Sequence, residues 1–503
     1  MAKETLKPAG YAELINRYQI DVIPNWHVSI VTSSTIRHVS ETRGVVKEIF
    51  PSSYWPGDGL GNHIEFALKY DGTNPAILAS LFDVVDTEEL VAYINSKPTG
   101  KFTRRLWFLY EFLTGLKLPL DDLKTGNYID LLDTDRYYTL TPGRRVRRQR
   151  IDNNLLGDSR FCPTIRRTKT LQDFEAAHLA DRCRQVVSGY APELLKRALS
   201  YFYLKETKSS FEIEHIEPSS TRIERFIAML QLADREDFCE KKKLIEAQNQ
   251  VVEPRFRELD YRTDQNYVGE SVAWQQEKVH FVSPKPEDLP ELMEGLIDAS
   301  ELMAEGGLPA VLHAAAIAYG FVFLHPFEDG NGRIHRFLIH NVLARRGFTP
   351  KGILFPVSAS MLEHMTDYDD SLEAFSRPVM AMVEFSLDTE GHLTVVNDTA
   401  CWYRYVDMTP QAEALFRFIE RTIDDELTGE LIFLANYDKT KEAISNIVDM
   451  PDRLIDLFIK FCLQNNSRLS AGKRASHFSF LSDKEISRME AAVKASYGRE
   501  TGT

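Results

Sequence analysis

The feature that most constrains this chain is a polar turn, HPFEDGNGRIHR at 325–336, set between the apolar stretch LPAVLHAAAIAYGFVFL and the stretch RIHRFLIHNVLARR. Apolar residues spaced three and four apart predict a helix on either side, and Gly347 ends the second as a glycine just past a helix terminus does. The same spacing recurs in LLKRALSYFYL, RFIAMLQLA and LPELMEGLIDASELM, so a mainly helical region is expected around the turn. One segment departs from it. NYVGESVAWQQEKVHFV, two extended runs about a polar turn, predicts a β-hairpin at 266–282 inserted among the helices.

Glycines flank Asn331, which lets the backbone N–H groups of Gly330, Asn331 and Gly332 converge at a helix N-terminus, an arrangement that binds phosphate. Asp-Gly and Asn-Gly also make plain turns, and GNG by itself favours that bland reading. The arginines shift the balance. Arg333 and Arg336 fall in the first helical turn, where the macrodipole disfavours each cation by about 0.3 to 1 kcal/mol, so an anion such as a triphosphate is expected to compensate. Asp329 alone would be a turn-former; beside an anion hole it offers the hard oxygen that Mg²⁺ needs when phosphate and water supply its other ligands. His325 either caps the preceding helix or, so close to the anion hole, takes a proton from an attacking hydroxyl. The helix dipole would raise its pKa, and the nearby arginines and metal are expected to counter that.

At every defined position the turn matches the signature HPFx(D/E)GNGRxxR, and over at least 171–377 the chain resembles the Fic family. The resemblance implies a helical Fic fold that transfers AMP from ATP, with Mg²⁺, to a Ser, Thr or Tyr hydroxyl of a target protein or of the chain itself. His325 would be the catalytic base and Asp329 the metal ligand. Gly330, Asn331 and Gly332 would cradle phosphates, with Arg333 and Arg336 gripping the outer ones. The hairpin would be the family's flap, which pairs with the target chain as an added strand. Tyr368 is similar to a family tyrosine near the adenine, although Asp369 stands where a second tyrosine is often found; a buried core tyrosine is the plainer reading. Ser210 and Glu214 lie four apart on one helical face and alone read as a solvated surface. Within the family they resemble the inhibitory motif (S/T)xxxE(G/N), whose glutamate pairs with the second signature arginine, here Arg336; His215 stands where Gly or Asn is usual. The same fold also suits removal of AMP or another nucleotide donor.

At 503 residues the chain exceeds what one core serves. The expected division is a small α+β domain over 1–143, a basic linker or seam over 144–170, a Fic region over 171–400 with the inhibitory helix near 205–217, and a helical C-terminal domain over 401–503, open to a winged-helix-like arrangement. SDKE predicts a capping box of Ser482 and Glu485. A formal charge of -14 argues against coating nucleic acid or anionic membrane as the main task. The rival of another class is a DNA-binding regulator, with Arg468, Lys473 and Arg474 of a C-terminal helix-turn-helix on phosphates. The scattered cysteines and the lack of a long apolar run fit a cytoplasmic protein, and oligomeric state is left open.

Overall fold

Strand alternation builds the first layer of the fold. The computed structural model describes residues 6–42, 44–273, 276–388 and 390–498. Strands β1 (Lys7–Ala9), β2 (His27–Thr32), β3 (His38–Thr42) and β4 (Val45–Pro51) form a sheet of order β1-β2-β4-β3, in which β2 and β4 run parallel and the outer pairs antiparallel. Five helices pack with it: α1 (Tyr11–Tyr18), α2 (Leu60–Phe66), α3 (Pro75–Phe82), α4 (Thr87–Ser96) and α5 (Lys101–Thr114). Their buried faces meet around Leu14, Ile64, Ile77, Leu81 and Trp107, which gives the α+β arrangement that the mixed pattern predicts.

The arginine-rich stretch is folded rather than a linker. It carries β6 (Arg144–Val146) and β7 (Ile151–Asn153), and β7 also pairs with β5 (Ile129–Asp130). Arg148 donates to both oxygens of Glu111 at 3.0 Å and lies over the Trp107 ring, while Arg150 donates to the carbonyls of Leu123, Lys124 and Gly126. Arg160 joins Asp158 to Asp298, and Arg166 Nε donates to Asp407 Oδ2 at 2.8 Å, so the stretch stitches the first layer to the helices that follow. Guanidinium forks matched with carboxylates and carbonyls explain the local excess of positive charge.

Ten helices and a hairpin then surround one continuous core: α6 (Lys169–Ala176), α7 (Leu179–Ser188), α8 (Pro192–Glu212), α9 (Ser220–Leu230), α10 (Lys241–Val251), the hairpin of β8 (Tyr267–Ala273) and β9 (Gln276–Val282), α11 (Leu289–Glu305), α12 (Ala310–Leu324), α13 (Asn331–Arg345), α14 (Val357–Glu363) and α15 (Met365–Met380). The tip of the predicted hairpin, residues 274–275, lies outside the described residues. Every residue of α12 from Val311 to Leu324 is buried, because the helix is apolar on all sides and sits at the centre with α11, α13 and α17 (Thr409–Arg421) against it. A small hairpin, β10 (Phe385–Leu387) with β11 (Leu393–Val395), and the short helix α16 (Ala400–Arg404) precede α17.

That core runs on past residue 400, through Leu415, Phe418 and Ile423 to Leu431. A separate cluster, including Ile455, Phe458, Phe478 and Met489, joins α18 (Thr428–Ser445), α19 (Asp452–Leu463), α20 (Ala471–His477) and α21 (Asp483–Tyr497). Ser482 and Glu485 close the capping box of α21 as predicted. Among the described residues no strand follows β11, so the C-terminal helices have no wing. Arg474 pairs with Asp483, and the Lys473 ammonium lies 4.5 Å from the centre of the Phe461 ring. Among the described residues no helix is long and apolar enough to cross a membrane.

Candidate active site

The site begins where α12 stops. His325 takes a left-handed conformation, φ 50°, and its backbone N–H closes the helix on Phe321 O at 3.0 Å. Its Nδ1 lies 2.9 Å from Val322 O. A carbonyl only accepts, so Nδ1 carries the ring proton and Nε2 keeps a free lone pair. Burial pushes the imidazole pKa down to about 4; the Arg262 charge lowers it further, against opposing contributions from the Val322 contact, Glu214 and Asp329. The expected counterweights to the helix dipole were the signature arginines and a metal. Desolvation and Arg262 take that part instead.

The turn is held by its own asparagine. Asn331 Oδ1 accepts from Phe327 N at 3.0 Å and Nδ2 donates to Phe327 O at 2.6 Å, so the side chain is engaged inside the loop and only the backbone of 330–332 is free to cradle an anion. Gly330 sits at φ 95° as the N-cap of α13, and a Cβ there would lie 2.9 Å from a Val251 methyl. Glu258, which the sequence did not single out, braces the same loop: its Oε1 accepts from Glu328 N at 3.0 Å. Burial, with the charges of Glu328 and Asp329, raises its pKa to about 7 against the backbone N–H groups of those residues.

Arg333 is buried in the first turn of α13, as expected, whereas Arg336, the sixth residue of the helix, is buried in the second. The anion that compensates them is Glu214. Its Oε1 accepts from Arg336 Nη2 at 2.7 Å, and its Oε2 lies 2.8 Å from Arg333 Nε in an ion contact without hydrogen-bond alignment. Pairing was expected with Arg336 alone; the carboxylate bridges both arginines, because it arrives over Gly332 between them. Ser210 adds two acceptors for Arg336, its Oγ at 2.9 Å from Nε and its carbonyl at 2.6 Å from Nη2. Arg333 Nη1 donates to Val251 O at 2.8 Å, and its other terminal nitrogen pairs with Asp329.

The C-terminus of α8 delivers Glu214 by a Schellman turn. Ile216 N donates to Phe211 O at 3.1 Å, His215 N to Glu212 O at 2.8 Å, and His215 is left-handed with φ 56°. This is the conformation that Gly or Asn adopts most readily, and histidine here accepts the strain. Upstream, Glu206 is wholly buried on the face of α8 shared with Phe202 and Ser210. It accepts from Ser358 N at 2.9 Å and lies 2.8 Å from His340 Nε2, which ties α8 to α14 and α13. The four-residue spacing of Ala198, Phe202, Glu206 and Ser210 is the signal that marks Glu206 as inward-facing.

Tyr368 lies under the arginines. It is buried, its Oη accepts from Arg336 Nη1 at 3.4 Å, and its ring stacks on His335. Asp329 remains partly exposed at the mouth of the turn, and Arg333 is its ion-pair partner. Among the described residues no group of three or more His, Cys, Asp or Glu forms a metal cage. One carboxylate facing an anion cradle is nevertheless the donor set that suits Mg²⁺ held mainly through phosphate and water.

A model described as the Fic/DOC family matches residues 234–343, which take in the whole turn. The chain carries a Fic/DOC domain. The segment with Ser210 and Glu214 lies before the matched residues, and Tyr368 after them. Over 133 residues the chain is 32% identical to "Protein adenylyltransferase Fic" of Nematostella vectensis, covering 25% of this chain and 28% of that one. It is 34% identical over 125 residues to the protein of that name from Culex quinquefasciatus, covering 24% and 22%. The similarity to "Protein adenylyltransferase fic-1" of Caenorhabditis elegans is 35% over 96 residues, covering 19% and 16%. The chain thus spans between about a sixth and just over a quarter of the length of these relatives. Among solved structures, a Fic family protein from Desulfovibrio desulfuricans G20 aligns with a TM-score of 0.37 at 16% identity, covering 55% of this chain and 80% of that one.

Proposed function

We propose that the Fic domain transfers AMP from ATP to a Ser, Thr or Tyr hydroxyl of a protein, the chain itself included, and that Glu214 restrains the reaction. The observation that carries this reading is the juxtaposition of an imidazole with a free Nε2 and a helix N-terminus bearing two buried arginines, both on one turn. The names of the relatives support ATP as the donor and a protein as the acceptor.

A hydroxyl oxygen attacks the α-phosphorus while its proton passes to His325 Nε2. The bond from the α-phosphorus to the bridging oxygen breaks, and pyrophosphate leaves with the electron pair. The backbone N–H groups of 330–332 and the guanidinium groups of Arg333 and Arg336 hold the phosphates in line, so the acceleration comes from positioning and electrostatics. Asp329 would hold Mg²⁺, whose charge offsets that of the phosphate oxygens. Tyr368, against Arg336, orients the arginine rather than the base. The Glu214 carboxylate stands where a phosphate would meet Arg336, so ATP bound beside it has its α-phosphate out of line.

The test is incubation of the full chain and its Glu214→Gly variant with ATP labelled on the α-phosphate, followed by mass spectrometry of modified proteins. Covalent AMP on a hydroxyl is expected, more in the variant. Label that stays free in both, or transfer only from another nucleotide, overturns the reading.

A further inference from the structure

Arg262 is a buried cation, 4% exposed, whose charge helps to keep His325 neutral but whose hydrogen bonds that effect does not account for. Its Nε donates to His325 O at 2.9 Å, Nη1 to Asp264 O at 2.7 Å and Nη2 to Pro284 O at 2.6 Å, while its backbone N–H donates to Pro326 O at 2.9 Å. Asp264 and Pro284 lie just outside the two ends of the β8–β9 hairpin. Among the described residues no carboxylate forms an ion pair with Arg262, and burial lowers its pKa to about 10. A buried charge is costly unless its donors are satisfied; here carbonyl dipoles from three chain segments do so at once, which the planar guanidinium fork permits. Asn266 makes a second tie, donating through Nδ2 to Phe327 O at 3.0 Å while its carbonyl accepts from Ser283 Oγ at 2.8 Å.

We propose that Arg262 is a positioning residue that fastens both ends of the hairpin to the carbonyl of His325, so that the hairpin and the imidazole keep one fixed separation. The proposal rests on the AMP-transfer reading, in which the hairpin receives the target chain and His325 takes its proton. Arg262 touches neither substrate. Its loss therefore acts on the alignment of acceptor and base, and leaves the phosphate cradle at 330–336 as it was.

The experiment uses the full-length Glu214→Gly chain and, within it, Arg262→Lys and Arg262→Gln. Amide exchange at 264–270 and 278–283 is expected to quicken by about tenfold in both variants. Transfer is expected to lose on the order of a hundredfold in kcat, with KM for ATP within about twofold. Unchanged exchange at the hairpin, or KM for ATP rising in step with the fall in kcat, overturns the proposal. Should the parent chain transfer no AMP, the functional reading fails by itself and the exchange measurement alone decides the coupling. Should either variant not fold, exchange of the parent chain in low denaturant decides. The amides of 264–266, 281–283 and 325–328 are expected to open as one unit, and separate opening of hairpin and turn overturns the proposal.

Discussion

Gly332 and Glu214 are fitted to each other: a Cβ built on Gly332 would lie 2.5 Å from Glu214 Oε1. The glycine leaves room for an oxygen at the N-terminus of α13, and the same space suits a carboxylate or a phosphate. Two arginines that would be unfavourable there alone are stabilised by either.

Glu214→Gly should therefore free both arginines. With ATP saturating, the initial rate of AMP incorporation is expected to rise on the order of a hundredfold, because productive alignment is worth several kcal/mol in such a displacement. Arg336→Ala should not mimic it, since the clamp itself is lost, and Glu214→Gly/His325→Ala should be inactive. The freed arginines also lose a partner, so the variant should be less stable by about 3 kcal/mol and regain more stability from ATP than the wild type does. Equal rates in wild type and Glu214→Gly would remove the inhibitory role.

His325→Ala should abolish transfer and leave ATP affinity within a few-fold. With its pKa lowered to about 4, His325 is already neutral at pH 5, so kcat/KM of the Glu214→Gly chain should stay level between pH 7 and 5. A fall centred near the ordinary histidine value, about 6.5, would show that the imidazole is not held as described.

Asp329→Ala should remove the dependence of ATP binding on Mg²⁺. A calorimetric titration with and without the metal measures this, and the same metal effect in variant and wild type would exclude Asp329 as the ligand.

Three histidines should make the chain acid-sensitive below about pH 6.5, with the carboxyl of Glu258, raised by burial to about 7, working in the opposite direction. Burial lowers His325 to about 4 and both His313 and His335 to about 3. In the unfolded chain each takes a proton at about 6.5, which the folded chain refuses, so their stabilising contribution is complete above that pH and is lost as pH falls towards 4 and then 3. Each adds a slope of about 1.4 kcal/mol per pH unit in that window. Urea unfolding between pH 7 and 5 should show the decline. His313→Gln, which keeps a donor near Ser300 and does not titrate, should flatten it by one histidine's share.

His215→Gly should stabilise the chain by up to about 1 kcal/mol, since the left-handed position no longer carries a Cβ. Thermal unfolding measures it; a lower midpoint would mean that the His215 side chain contributes more than its backbone costs.

The geometry of the turn was legible because it is contiguous: His325, Asp329, the glycines and the arginines lie within one loop and the first two turns of α13. The spacing of Ser210 and Glu214 marked a shared face, and it could not tell that the carboxylate would bridge Arg333 as well. Arg262 left no mark in the sequence, since carbonyls of residues 264, 284 and 325 are its acceptors and any residue type supplies a carbonyl. The stretch 144–170 read as a seam by charge alone, while its partners Glu111, Asp298 and Asp407 come from distant segments. The C-terminal capping box was legible as a local pattern; the absence of a wing, a matter of tertiary arrangement, was not.

The tie from Glu206 to Ser358 and His340 bears on what must move for the two arginines to be cleared. Buried residues from Ala198 to Phe211 anchor α8 in the central core, whereas the Glu214 side chain is 24% exposed at its end. Clearing the arginines asks for rotation about the bonds of one side chain and the breaking of its two ion contacts, and leaves the helix in place. If Glu214 restrains the site as proposed, control would need no movement of a helix: one tethered carboxylate and a free phosphate would contest the same two arginines, the outcome settled anew each time either lets go.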